Sequence, residues 1–292
     1  MAGSPTAKPS PPCSGSTDPD LVTPVRPPGA SLTPNPIAIF DSGLGGLTVL
    51  RALQARLPQE DFFYFADTRF LPYGDRPEVF LRERGVLIAE ALVRRGAKAL
   101  VIACNTATAA AAEAIRAAID LPIVALEPGV KPAVGLTRSG VIGVLATTRT
   151  LSSERFHRLV GTHAQTRRVI AQPCPGLAEA IEAAGPDSPQ VAALLDSFVA
   201  PLAAAAADVV VLGCTHYPWV AVAIARRLPA GTILLDTGEA VARQLERLLL
   251  AGNLLGGGEG RLTVASSGAP ASVATTVERL WGRKLTIEHW EP

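Results

Sequence analysis

Cysteine is scarce in this chain and never clustered. The four present, Cys13, Cys104, Cys174 and Cys214, show no Cys-x-x-Cys spacing and fall far below the density of a disulfide scaffold. Free thiols in a reducing compartment are therefore expected. Charge is sparse too, at 18% of residues with a net charge of +1. The basic residues are scattered, so neither a nucleic acid nor a membrane surface is an expected partner, and a small molecule is. The first residues contain no apolar segment of the kind that spans a bilayer or directs secretion. Lysine occurs only as Lys8, Lys98, Lys131 and Lys284, none in a site-like cluster after a strand. A Schiff-base cofactor would lack its anchor, and no cofactor is expected.

What is abundant is apolar. Hydrophobic residues make up 48% of the 292 residues, which suits an α/β protein of two ordinary domains with buried strands and alanine-rich helices. Residues 1–35 are instead rich in Pro, Ser, Thr and Gly and are expected to form a disordered tail. From Pro36 onward, short apolar runs alternate with helical stretches. Ile37 to Phe40, Phe62 to Ala66, Ala99 to Ala103 and Pro122 to Leu126 read as strands, with helices over Leu47 to Arg56, Pro77 to Arg95 and Ala107 to Ile119. The second half repeats the plan with strands at Val141 to Leu145, Arg168 to Ile170, Asp208 to Leu212 and Thr232 to Leu235. Strand Leu262 to Ala265, helix Pro270 to Trp281 and strand Lys284 to Glu288 close the chain.

Such alternation implies parallel sheets covered by helices, with ligands bound beyond the carboxyl ends of the strands. The polar clusters all fall there. Asp41 precedes Cys104 by 63 residues and Thr147 precedes Cys214 by 67, so two similar halves are expected to face each other across a cleft. Cys104 and Cys214 each follow an apolar run and precede residues able to start a helix. A thiol at a helix N-terminus is expected to favour thiolate over its usual pKa of about 8.5. A single buried cysteine is most often a small core residue, but two at matching positions point to paired acid/base chemistry. Inverting a carbon centre requires removing a proton from one face and returning one to the other, and two opposed thiols can do both.

Supporting groups can be placed beside each thiol. Asp41 either shares the proton of Cys104 or caps the helix beginning near Gly45, and the two roles are compatible. His216 is a relay for Cys214, with Glu182 or Glu179 behind it. The glycines of Asp41-Ser42-Gly43-Leu44-Gly45-Gly46 match neither a P-loop nor a dinucleotide fingerprint, yet they allow backbone N–H groups to approach an anion such as a carboxylate. Ser42, Asn105, Thr106 and Thr215 supply neutral donors at the same level of the fold. No metal is expected, since zinc would require a fourth ligand besides Cys104, Cys214 and His216.

These residues carry a resemblance. The blocks Ile39-Phe40-Asp41-Ser42-Gly43-Leu44-Gly45-Gly46-Leu47, Ala66-Asp67-Thr68 with Pro72-Tyr73-Gly74, Ala103-Cys104-Asn105-Thr106-Ala107, Ile142-Gly143-Val144-Leu145-Ala146-Thr147 and Gly213-Cys214-Thr215-His216-Tyr217-Pro218 resemble the glutamate racemase family. The resemblance implies cofactor-independent interconversion of L- and D-glutamate in a bacterial cytoplasm, supplying D-glutamate for peptidoglycan, by a homodimer. It casts Cys104 as the base toward the D-isomer, supported by Asp41, and Cys214 as the base toward the L-isomer, supported by His216 and Glu182. Substrate contacts would fall on Asp41, Ser42, Tyr73, Gly74, Asn105, Thr106, Thr147, Thr150, Thr215 and His216. The implied fold is two similar, pseudo-twofold α/β domains, 36–130 completed by about 237–292, and 131–236. Related racemases of aspartate or hydantoins share the two-cysteine plan, and the Thr215-His216-Tyr217-Pro218 block favours glutamate.

Overall fold

A strand buried on every residue needs cover on both faces, and β1 (Ile37–Asp41) obtains it as an inner strand of a parallel sheet. The computed structural model describes residues 35–292. The expected tail, with Cys13, lies outside the described residues apart from Asn35. After β1 come α1 (Leu47–Arg56), β2 (Phe62–Ala66), α2 (Glu78–Arg94), β3 (Ala99–Ile102), α3 (Asn105–Ala118) and β4 (Ile123–Ala125). The second sheet is built along α4 (Val130–Leu136), β5 (Val141–Ala146), α5 (Thr148–Ser152), α6 (Glu154–His163), β6 (Arg168–Pro173), α7 (Leu177–Ala184), α8 (Pro189–Ala204) and β7 (Val209–Leu212). A short α9 (Ala221–Ala225) and β8 (Ile233–Leu235) complete it. The chain ends with α10 (Gly238–Ala251), β9 (Leu262–Ser266), α11 (Pro270–Trp281) and β10 (Ile287–His289). No helix among the described residues is long and apolar enough to cross a membrane.

Every strand pairing is parallel. The first sheet runs β10-β9-β2-β1-β3-β4 and the second β6-β5-β7-β8, so β2-β1-β3-β4 and β6-β5-β7-β8 share one topology. Matching backbone bonds close the strand ends. Ala103 N–H donates to Phe40 O and Gly213 N–H to Leu145 O, both at 2.7 Å, while Asp67 N–H donates to Asp41 O at 2.9 Å and Cys174 N–H to Ala146 O at 3.0 Å. By this register Cys104 is the counterpart of Cys214 and Ser42 that of Thr147. The spacing reading, which matched Asp41 to Thr147, is thus off by one residue. In each sheet the chain leaves the central strand to one side and then crosses to the other. The crevice this leaves at the ends of β1 and β3, and of β5 and β7, is where ligands bind in open α/β sheets.

The two sheets share one core. Leu44, Leu47 and Leu50 around α1 pack in the same buried cluster as Ile181, Leu212 and Tyr217. Three helices, α4, α8 and the short α9, have no counterpart in the sequence reading. In α8 the only charged residue is Asp196 and Pro201 lies inside the helix, so no amphipathic stripe marks it.

After β8 the chain returns to the first sheet, where β9 pairs with β2 from Phe62–Leu262 to Ala66–Ser266. A buried ion pair fastens this return. Lys98 Nζ lies 2.6 Å from Glu60 and donates to the carbonyls of Leu254 and Gly256 at 2.8 Å each. Replacing Lys98 by Met leaves Glu60 charged and buried without its partner, so urea unfolding should show a loss of about 3–5 kcal/mol. An unchanged midpoint would mean the pair contributes nothing.

Candidate active site

The carboxyl ends of β1, β3, β5 and β7 open onto a cavity of about 250 Å³, the size for a small metabolite rather than a drug-sized ligand. Its wall holds Cys104 and Cys214 together with Ser42, Tyr73, Gly74, Asn105, Thr106, Thr147, Thr215 and His216. Asp41, Glu182 and Thr150 are absent from this wall and stand behind it. Glu179 and Cys174 line the cavity as well. A larger groove of about 490 Å³ lies beside α2, α3 and α6, but it contains charged and small side chains and no thiol.

The first thiol sits on a real helix start. Cys104 is the N-cap of α3, and its sulfur accepts the Ala107 N–H at 3.4 Å. Its other contact is Ser42 Oγ, 3.5 Å away. Asp41 does not touch the sulfur directly. Its Oδ1 accepts the Ser42 N–H at 2.7 Å and lies 3.3 Å from the Ser42 hydroxyl, and its Oδ2 accepts the Gly46 N–H at 2.5 Å. A chain from thiol to hydroxyl to carboxylate results. The expected thiolate preference is reversed. Burial, reinforced by the Asp41 charge, pushes the Cys104 thiol up to about 12, outweighing the bonds from Ser42 and Ala107. Burial likewise raises Asp41, although His216 and the Gly46 N–H oppose it.

The second thiol has a different setting. No regular helix begins at Cys214; residues 217–220 form a 3₁₀ turn ahead of the five-residue α9, so the expected helix N-terminus is absent there. A histidine takes its place. Cys214 Sγ lies 3.6 Å from His216 Nδ1, and His216 Nε2 lies 2.6 Å from Glu182 Oε1. Burial alone would lower the imidazole pKa, but Cys214 and Glu182 together hold it well above its ordinary value of 6.5. Glu182 responds in the opposite sense. Burial works to raise it, while His216 and the Leu44 N–H hold the carboxyl below the usual range.

The glycine loop does meet a carboxylate, but one from the protein itself. Leu44 N–H donates to Glu182 Oε1 at 2.8 Å. Around it, Tyr64 Oη donates to Gly43 O at 2.8 Å and Thr48 Oγ1 to Thr215 O at 3.0 Å. Sequence reasoning missed Tyr64 and Thr48, since a tyrosine within an apolar strand and a threonine within a helix carry no site signal. Arg84 was missed for the same reason. It grips Asp67 through two bonds of 2.9 and 2.7 Å, and Asp67 in turn accepts the Tyr73 hydroxyl at 2.6 Å. The Asp67-Thr68 block was the available clue.

Hydroxyls from the two sheets meet across the cavity. Thr106 Oγ1 lies 3.0 Å from that of Thr147 and 3.4 Å from that of Thr150, which are 2.9 Å apart. The Asn105 carboxamide oxygen is buried with no partner among the described residues. Such an acceptor at a cavity wall is incomplete until a donor arrives. The arrangement can take a small molecule carrying both donors and acceptors and present a thiol to it from each half.

Residues 48–245 match the Asp/Glu/Hydantoin racemase family. The chain is 47% identical over 254 residues to a glutamate racemase from Stutzerimonas stutzeri, covering 87% of this chain and 96% of that protein. The crystal structure of a glutamate racemase isoform from Bacillus anthracis aligns with a TM-score of 0.81 at 29% identity, over 89% of this chain and 98% of the other. Escherichia coli glutamate racemase, crystallised with L-glutamate and the activator UDP-MurNAc-ala, aligns with a TM-score of 0.78 at 29% identity, over 88% and 98%. The shared fold, and a sequence match over two thirds of its length, leave one assignment: the chain belongs to the Asp/Glu/hydantoin racemase family.

Proposed function

We propose that this protein interconverts L- and D-glutamate without a cofactor, with Cys214 and Cys104 as the two acid/base groups. The observation that carries this reading is that the thiols occupy equivalent positions in two like sheets and line one cavity. The close relatives named for glutamate, and the neighbour that holds L-glutamate, support the substrate. In the L-to-D direction, the Cys214 thiolate takes the α-proton, with His216 imidazolium beside it. The carbanion is held by the hydrogen-bond donors at the strand ends, and Cys104 delivers its proton to the opposite face. The product leaves Cys104 as thiolate and Cys214 as thiol, the starting state for the reverse reaction.

The high pKa of the buried Cys104 thiol suits this order, since it enters the L-to-D cycle as an acid. For D-glutamate it must act as a base, and the substrate ammonium brings a positive charge that offsets Asp41. The buried Asn105 oxygen is a ready acceptor for that ammonium. Thr106, Thr147 and Thr215 remain for the carboxylates, with Ser42, Tyr73 and Gly74 completing the wall. Thr150 acts through its neighbours Thr106 and Thr147. We read residues 36–130 with 237–292 as one domain and 131–236 as the other, and the product as D-glutamate for peptidoglycan in the bacterial cytoplasm. A homodimer is the assembly proposed.

Serine in place of either thiol should keep the fold, by far-ultraviolet circular dichroism, and lower racemisation by about 10²–10⁴-fold. The assay follows optical rotation and α-deuterium uptake in heavy water, with aspartate and hydantoins tested beside glutamate. Near-normal turnover by Cys104→Ser or Cys214→Ser would remove the two-thiol mechanism, and preference for another substrate would remove glutamate.

The pH profile provides a separate check. Because the His216 pKa is raised, the imidazolium is complete below about 6.5 and is lost only as pH climbs through the higher, folded-state value. The rate should therefore show no loss centred near 6.5 and should fall at more alkaline pH. In Glu182→Gln the fall should move toward lower pH. A wild-type inflection at the ordinary histidine value would contradict the pairing.

A further inference from the structure

Glycine is often required by backbone conformation, but that reason fails for the loop after β1. The glycines with positive φ lie elsewhere, from Gly96 to Gly282, and do not include Gly43, Gly45 or Gly46. What the loop lacks is room. A Cβ on Gly43 would fall 2.5 Å from Glu182 Oε1, and one on Gly45 would fall 2.4 Å from His216 Nδ1. The atoms in the way belong to the second sheet's acid/base arm. The same loop donates the Leu44 N–H to Glu182, and the adjoining Thr48 hydroxyl donates to the carbonyl of Thr215, between Cys214 and His216.

We propose that Gly43 and the Leu44 N–H form a seat, built by the first half of the chain, that positions Glu182 and through it orients His216 against Cys214. The inference rests on the two-thiol reading above and deepens it: these are positioning residues for the base acting on the L-isomer, and they come from the loop that also serves the opposite thiol. Glu182 Oε1 is the meeting point. It receives the Leu44 N–H and faces His216 Nε2, so a methyl on Gly43 displaces the very oxygen that orients the imidazole. Cys104 lacks this dependence, because its sulfur is held by Ser42 and Ala107.

The test uses Gly43→Ala in the full-length protein with α-deuterated L- and D-glutamate. Enantiomers have equal free energy in water, so kcat/KM must fall equally in both directions, here by about 10–100-fold, as expected when a general acid/base arm is impaired. The isotope effects need not move together. Slowing proton transfer at Cys214 should enlarge the effect on deuterated L-glutamate and shrink that on deuterated D-glutamate toward one. In a Glu182→Ala background, where the obstructing oxygen is gone, Gly43→Ala should cost less than about twofold more, the non-additivity of residues acting through one contact. Thr48→Val, which removes the hydroxyl donated to the Thr215 carbonyl, should shift the isotope effects in the same sense by a smaller amount and carries the test if Gly43→Ala does not fold. Isotope effects that change equally, or losses that add to those of Glu182→Ala, would overturn the proposal. Failure of the two-thiol reading would be seen separately, as turnover by a serine variant of either thiol.

Discussion

One carboxylate oxygen ties the two halves of this site directly to each other. Glu182 Oε1 accepts a backbone N–H from the first half at 2.8 Å and faces an imidazole nitrogen of the second at 2.6 Å. A charge-assisted contact of this length, removed from bulk water, is both strong and directional. It is also exacting, since a buried carboxylate that loses either partner keeps its desolvation cost without compensation. The absence of a side chain on Gly43 follows from it, because a Cβ there would fall 2.5 Å from that oxygen.

Equivalent topology does not produce equivalent chemistry. Cys104 and Cys214 occupy the same position in their sheets, yet one rests on a helix start behind a serine and a carboxylate, and the other beside a histidine and a carboxylate. The difference is electrostatic. Around Cys104 the nearest formal charge is the negative Asp41, which with burial stabilises the neutral thiol. Around Cys214 the nearest partner is an imidazole held toward its cationic form.

Much of the fold is legible in the residues, and the reasons are local. Leu47 to Arg56, Phe62 to Ala66 and Pro270 to Trp281 are found with the bounds that periodicity and flanking turns indicate, because composition and packing agree there. α8 escapes notice because it is almost uncharged and interrupted by Pro201. The thiols stand out by position alone. The ionisation of Cys104 does not, because the helix-end effect inferred for it is smaller than the cost of burying a charge, and burial is not written in the neighbouring residues. His216 is legible from its place two residues beyond Cys214, whereas Glu182 could be separated from Glu179 only by the direction each side chain takes from α7. Thr48, Tyr64 and Arg84 act through contacts across the fold and leave no local trace.

The matched order of the two sheets has one more consequence. Had the opposing walls been supplied by two copies of a single shorter polypeptide, any change that adjusted the reactivity of one sulfur would have altered the other identically. Carrying both walls in one continuous polypeptide frees each to diverge, so that serine and aspartate could accumulate on one side and histidine and glutamate on the other. A reaction whose two end states are mirror images is thereby served by a protein whose two sides are not.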